Sequence, residues 1–223
     1  MKKLVVLTGA GISAESGIRT FRDSDGLWNE YRIEDVATPE GFERNPELVL
    51  NFYNDMRKEH QLHQPNYGHL GLKELESDYD VQIITQNIDD LHERAGSKNV
   101  LHLHGELMKV RSVRNPYLVT TLTDDKCEIH LGDKASDGAQ LRPDIVWFGE
   151  AVPNFEPAVE MAQQADVFLI VGTSLNVYPA AGFIRYFRGK HLAIVNRDAT
   201  PYDDNCDIII HDDLAKTFNQ LHI

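Results

Sequence analysis

Seven short runs rich in Val, Ile and Leu recur along the chain, at Leu4–Leu7, Val81–Thr85, Val100–Leu103, Ile145–Phe148, Val167–Val171, Leu192–Val195 and Ile208–Ile210. They are unbroken rather than alternating, the pattern of strands covered on both faces. Helical signals fall between them. Asn45-Pro46 reads as N-cap and first residue of a helix to about Gln64, and further helices are expected at 67–77, 88–95, 155–165, 179–188 and 212–221. Strands alternating with helices imply an α/β fold built on a parallel, doubly wound sheet. Residues from about 110 to 141 break the rhythm and read as a small inserted lobe of short strands, Tyr117–Leu122 among them. A second inserted segment covers about 31–66. The core of this single domain is then expected at about 1–30, 67–109 and 142–223.

Composition narrows the partners. With 42% hydrophobic residues the chain can bury a core, which excludes a disordered protein. No stretch reaches the ~18 to 20 apolar residues of a membrane span, and the run behind Lys2 and Lys3 has no cleavage-site pattern after it. A cytoplasmic protein without a membrane partner is expected. The net charge of −13 leaves no basic face to neutralise phosphates, so nucleic acid is not an expected partner. Cys127 and Cys206, the two cysteines, are too few for a disulfide framework.

The first apolar run leads directly into Thr8-Gly9-Ala10-Gly11-Ile12-Ser13-Ala14. This fits the G-x-G-x-x-A form of the dinucleotide fingerprint, whose glycines let the backbone approach a pyrophosphate while the next helix N-terminus offers free N–H groups. It makes the sheet Rossmann-like. The acidic residue expected ~20 positions further on is missing, because Glu34 and Asp35 lie in a stretch without strand character.

The pattern does not stop at the glycines. GAGISAESGIRTFR fills Gly9 to Arg22, followed by DGLW at Asp25–Trp28, TQNID at Thr85–Asp89, LHG at Leu103–Gly105, FGE at Phe148–Glu150, GTS at Gly172–Ser174 and Asn196 after the next strand. The chain resembles the sirtuin family of NAD-dependent deacylases over nearly its whole length. The resemblance implies transfer of an acyl group from protein lysine to ADP-ribose, giving lysine, nicotinamide and 2′-O-acyl-ADP-ribose. His104 matches the general base, a role suited to an imidazole with a reference pKa of ~6.5. Asn87 and Asp89 match catalytic positions at the nicotinamide end, with Ile88 between them, and Gln86 lies near the ribose. Ala10, Ser13, Glu15, Thr20 and Arg22 lie on the cofactor loop, and Phe21 covers the reacting face. Gly172, Thr173, Ser174 and Asn196 line the diphosphate and adenosine ribose, with Leu214 at the adenine. His102, two positions before His104 on the same face, is expected to pack or hydrogen-bond beneath.

Two departures concern substrate and metal. DVATPEGF at Asp35–Phe42 and FYNDMR at Phe52–Arg57 resemble the branch that removes acidic acyl groups, where an alanine widens the pocket and a tyrosine and arginine three apart hold the acyl carboxylate. Ala37 and Tyr53 match, but Met56 stands at the arginine position and Arg57 follows it. Two readings stay open. Either Arg57 reaches the acyl carboxylate, or Met56 lines an apolar pocket for acetyl or longer acyl groups while Arg57 meets solvent. The family's four zinc cysteines are also missing: Ser112 stands where the first would fall, and Cys127 with His130 supplies only two ligands where a structural site needs four. A lobe folded without zinc is expected.

An extended acyl-lysine peptide is expected to pair with backbone at Gly149–Glu150 and Asn176–Val177, with Val146 and Phe148 beside the lysine stem. By analogy the protein is a monomer. ADP-ribosyl transfer or NAD hydrolysis remains the alternative activity, and a non-catalytic NAD-sensing module is a third reading.

Overall fold

The computed structural model describes residues 1–20, 30–175, 180–214 and Thr217. The described strands are β1 (Lys2–Thr8), β2 (Tyr79–Thr85), β3 (Val100–His102), β4 (Gly105–Ser112), β5 (Val119–Thr121), β6 (Leu141–Ile145), β7 (Val167–Val171), β8 (His191–Val195) and β9 (Ile208–Ile210). Six of them form a parallel sheet in the order β3-β2-β1-β7-β8-β9. The fold is therefore α/β with the doubly wound sheet read from the apolar runs. Successive residues of β1 show why these runs are unbroken: Val5 and Leu7 pack with Phe168, Ile170 and Phe183 on one face, Leu4 and Val6 with Leu72, Val81 and Val195 on the other.

Strand order reverses between β1 and β7, and a crevice opens at such a switch point beyond the carboxyl ends of the strands. Its floor is the short helix α1 (Ala10–Ala14), which has Gly9 as N-cap. The glycines here serve packing. A Cβ on Gly9 would lie 2.7 Å from Thr173 Cβ, and one on Gly11 2.8 Å from the Gly172 carbonyl oxygen.

One apolar run belongs elsewhere. Ile145–Phe148 is not a strand of the parallel sheet: Ile145 ends β6, and β5-β4-β6 form a separate antiparallel sheet spanning Gly105 to Ile145. Pro143 is tolerated within β6 because that strand pairs on one side alone. The helical segments α2 (Ile33–Val36), α3 (Pro39–Arg44) and α4 (Pro46–His60) supply the partner of this second sheet. Val36, Val49, Phe52 and Tyr53 pack on Leu107, Ile145 and Trp147. α3 and α4 start as their sequences dictate, with Thr38 and Asn45 side chains accepting N–H bonds from Gly41 and Leu48 and proline at the first helical position.

Among the described residues the remaining α-helices are α5 (Tyr67–Glu74), α6 (Leu91–Arg94) and α7 (Phe155–Gln164). The segment expected as a helix over 179–188 contains a 3₁₀ turn at Ala180–Arg185. Most of the helix expected at 212–221 lies outside the described residues, as do Phe21, Arg22, Asp25–Trp28, Asn176 and Val177.

Candidate active site

A cleft of about 510 Å³ runs along the carboxyl ends of the parallel strands and under the antiparallel sheet. That volume suits a small-molecule ligand. It gathers Gly9, Ala10, Gly11, Glu15, Thr20, Gln86, Asn87, Ile88, His104, Gly172, Thr173, Ser174, Asn196 and Leu214, residues spread over the whole chain. Ala37, Tyr53, Val146, Phe148, Gly149 and Glu150 line the same cleft from the other lobe. Arg197, Asp198 and Trp147 also line it, and none of the three stands in a motif that pointed to the site.

His104 sits half-buried between β3 and β4, where its Nδ1 lies 2.9 Å from the Gln86 carbonyl oxygen. A carbonyl can only accept, so Nδ1 carries the proton and Nε2 keeps its lone pair. Among the described residues nothing binds Nε2. Burial holds the ring's pKa below the usual histidine value, with the Gln86 bond opposing it in part, so the imidazole is neutral at pH 7. Gly105 fixes this corner: its φ is +84°, and a Cβ there would collide with the Asp144 carbonyl oxygen.

Next to it lies a buried polar network. The Ser13 hydroxyl donates to Asp89 Oδ2 at 2.9 Å and accepts from Asn87 Nδ2 at 3.1 Å, and Asn87 Nδ2 also reaches the Gly9 carbonyl oxygen. Burial raises the Asp89 carboxyl pKa, with the Ser13 and Leu91 bonds working against that shift. Asp89 itself lines a smaller cavity of about 50 Å³ behind the cleft, together with Ser13, Asn87, Met56 and His60. Gln86 is turned toward Thr173, donating to its Oγ1 at 3.1 Å.

Three expectations change. The turn does not offer all its amides to an anion, because Gly9 N–H and Gly11 N–H already bind the Val171 and Gly172 carbonyl oxygens at 3.2 and 2.8 Å. Arg57 neither lines the cleft nor meets solvent. It is fully buried, its Nε donating to the Leu107 carbonyl oxygen at 2.7 Å and Nη1 to Asn54 Oδ1 at 2.9 Å, and burial brings its pKa to about 10. The turn of helix between Tyr53 and Arg57 carries the guanidinium under β4 instead. Glu150 N–H, expected to pair with peptide, binds the Trp147 carbonyl oxygen at 3.0 Å. The Glu150 carboxylate is also taken, by both Nη atoms of Arg142 and by Trp147 N–H, while the Arg142 guanidinium stacks 3.4 Å from the Trp147 ring centre.

Tyr53 is a buried polar residue at the wall that the second lobe gives the cleft. Its hydroxyl accepts from Trp147 Nε1 at 3.0 Å, and burial raises its pKa. Met56 packs against the same apolar cluster.

The profile of the Sir2 family matches residues 9–179. A NAD-dependent protein deacylase of Bacteroides thetaiotaomicron is 56% identical over 95% of this chain and 91% of its own length. The chain belongs to the Sir2 family. A solved structure of a Sir2 homologue mutant in complex with ADP-ribose superposes on this Sir2-family chain with a TM-score of 0.90 at 40% identity, covering 98% of it and 89% of the other chain. A Sir2 homologue–NAD complex gives a TM-score of 0.87 at 39% identity, with 98% and 87% covered.

Proposed function

We propose that the protein is an NAD-dependent protein-lysine deacylase in which His104 is the general base. The observation that carries this is the state of that one ring: neutral, with Nδ1–H anchored on Gln86 and Nε2 unpartnered among the described residues at the wall of the cleft. An imidazole so held can take a proton from a sugar hydroxyl.

The cleft fits NAD on its own features. It is long enough to include Leu214 and Asn196 at one end and Asn87 and His104 at the other, and Gly9, Gly11 and Gly172 leave its floor free of side chains. When bound, NAD supplies an electrophilic ribose carbon carrying nicotinamide as leaving group. Thr173, Ser174, Asn196 and Leu214 would hold the adenosine side, and Asn87 with Asp89 the nicotinamide side. Asn87 offers an amide whose orientation is fixed by Gly9 and Ser13, and the buried carboxylate of Asp89 would stabilise developing positive charge in a water-poor pocket. Gln86, Ala10, Glu15 and Thr20 complete the wall.

The acyl group enters past Ala37, Tyr53, Val146 and Phe148. Among the described residues no unpaired cation lines this part of the cleft, since Arg142 is held by Glu150 and Arg57 lies behind it. Acetyl and other uncharged acyl groups are therefore the substrates, because a carboxylate buried without its cation is strongly penalised. Peptide pairing at the rim rests on Gly149, since the N–H groups of Val146, Trp147, Phe148 and Glu150 are all bound within the protein.

The antiparallel lobe needs no zinc in this reading. Ser112 donates to Asp137 Oδ2 at 2.7 Å and accepts the N–H groups of Arg114 and Asn115, knotting the loop that a metal would otherwise hold. Among the described residues no helix is long and apolar enough to cross a membrane.

Nicotinamide release from NAD, measured with and without acetyl-lysine peptide, tests the activity. Peptide-dependent release with loss of the acetyl group is expected, and its absence in the His104→Ala variant. Release without peptide would replace this reading with NAD hydrolysis or ADP-ribosyl transfer.

A further inference from the structure

Two histidines outside the reacting groups share one unusual geometry. His102, buried at the end of β3, has Nδ1 3.0 Å from the Asn87 carbonyl oxygen and Nε2 2.9 Å from Glu93 Oε1 on α6. His211, just after β9, has Nδ1 3.0 Å from the Asn196 carbonyl oxygen and Nε2 2.8 Å from Asp203 Oδ2. In both, one nitrogen faces a carbonyl and the other a carboxylate. Neither partner has a proton to give when the carboxylates are ionised, so both ring nitrogens must donate and both rings are imidazolium.

The two carbonyls belong to asparagines that line the cleft at different places. Asn87 lies beside Ser13 and His104, and its amide is locked onto Gly9 and Ser13. Asn196 lies beside Thr173 and Leu214, its N–H bound to the Ile210 carbonyl oxygen and its Nδ2 to the Asp198 carbonyl oxygen. Neither histidine lines the cleft.

We propose that His102 and His211 are positioning residues, each a cationic clamp between a carboxylate and a cleft asparagine, His102 setting Asn87 where nicotinamide leaves and His211 setting Asn196 where adenosine binds. The assignment of the two ends rests on the deacylase reading; the protonation of the two rings does not.

The charged surroundings agree with the geometry. Around His102 stand Glu93 and neutral His92 from α6, Asp89 from the loop after β2, Glu106 from β4 and the neutral His104. Burial alone would lower the His102 pKa, and the Glu93 carboxylate, the Asn87 carbonyl and the Glu106 charge together outweigh it, leaving the pKa raised. Around His211 stand Asp203, which opens a second 3₁₀ turn at Asp203–Asn205, and Asp198 after β8. The Asn196 carbonyl and these two carboxylates raise its pKa as well.

The test is a double dissociation with ADP-ribose, which lacks nicotinamide. His102→Gln is expected to lower kcat with NAD and acetyl-lysine peptide about tenfold, with the loss in kcat rather than in ADP-ribose affinity. His211→Gln is expected to weaken ADP-ribose binding by calorimetry about threefold to tenfold and to raise KM for NAD. In the wild type, kcat is expected to fall on the alkaline side as His102 loses its proton, and Glu93→Gln is expected to shift that fall to lower pH. Ring-nitrogen NMR reads protonation without turnover and is expected to show two imidazolium rings at pH 7. Neutral rings at pH 7, an unshifted alkaline limb in Glu93→Gln, or equal damage to both probes by both histidine variants would overturn the proposal. If the wild type releases no nicotinamide with peptide, the deacylase reading fails while the NMR result still decides the clamps.

Discussion

At His104 the pH dependence expected of the proposed general base follows from burial, opposed in part by one hydrogen bond to Gln86. Burial keeps the ring below the ordinary histidine value, and a general base must be neutral to act. The acidic fall of kcat/KM for peptide is therefore expected below pH 6.5, and a pH–rate profile on acetyl-lysine peptide measures it. Arg57 leads to a different kind of expectation. Arg57→Met leaves the buried Leu107 carbonyl and the Asn54 side chain short of a donor, so it should cost about 2–4 kcal/mol in urea unfolding. The ratio of succinyl to acetyl turnover should stay the same, because the guanidinium is not in the cleft. The position of Arg57 was not readable from the helix alone. Its spacing from Tyr53 is compatible with several orientations, and what decides between them is the Leu107 carbonyl, 50 residues further along the chain.

Among the elements, the antiparallel sheet is where local pattern carried least information. Ile145–Phe148 is as apolar as a parallel strand because Ile145 and Trp147 are buried against α4, and an apolar run of this length fits either kind of sheet. The runs of β1, β2, β7 and β8 were legible because both of their faces are covered, and the glycine turn after β1 was legible because no other residue fits against Gly172 and Thr173. In the small lobe the organising contacts are single polar side chains. Ser112→Ala removes the acceptor for two N–H groups and the donor to Asp137, and a loss of about 1–2 kcal/mol in thermal or urea unfolding is expected. Elemental analysis of purified protein is expected to find no stoichiometric zinc, and chelator should leave the melting temperature unchanged.

For the molecule as a whole, buried histidines set the response to acid. His69 and His92 touch edge to face with ring centres 5.0 Å apart, and burial lowers the pKa of the first to about 4 and of the second well below its usual value. The folded chain keeps them neutral while the unfolded chain protonates them near pH 6.5, so stability is lost as pH falls from about 6.5 towards 4. Asp89, raised by burial, binds a proton more readily when folded and offsets part of this. His102 and His211 act in the other direction, adding stability that is present below pH 6.5 and lost as pH rises through their folded values. Urea unfolding between pH 4.5 and 8.5 should show a maximum close to neutrality, with a loss of a few kcal/mol on the acid side.

The amides of Gly9 and Gly11 are engaged with the Val171 and Gly172 carbonyl oxygens. The shelf under the dinucleotide thus acquires its shape together with the sheet, and its conformational entropy is surrendered once, at folding. Docking then has little loop ordering left to do at this wall, so the calorimetric entropy of ADP-ribose binding should report mainly the ligand's own lost freedom and the water it displaces.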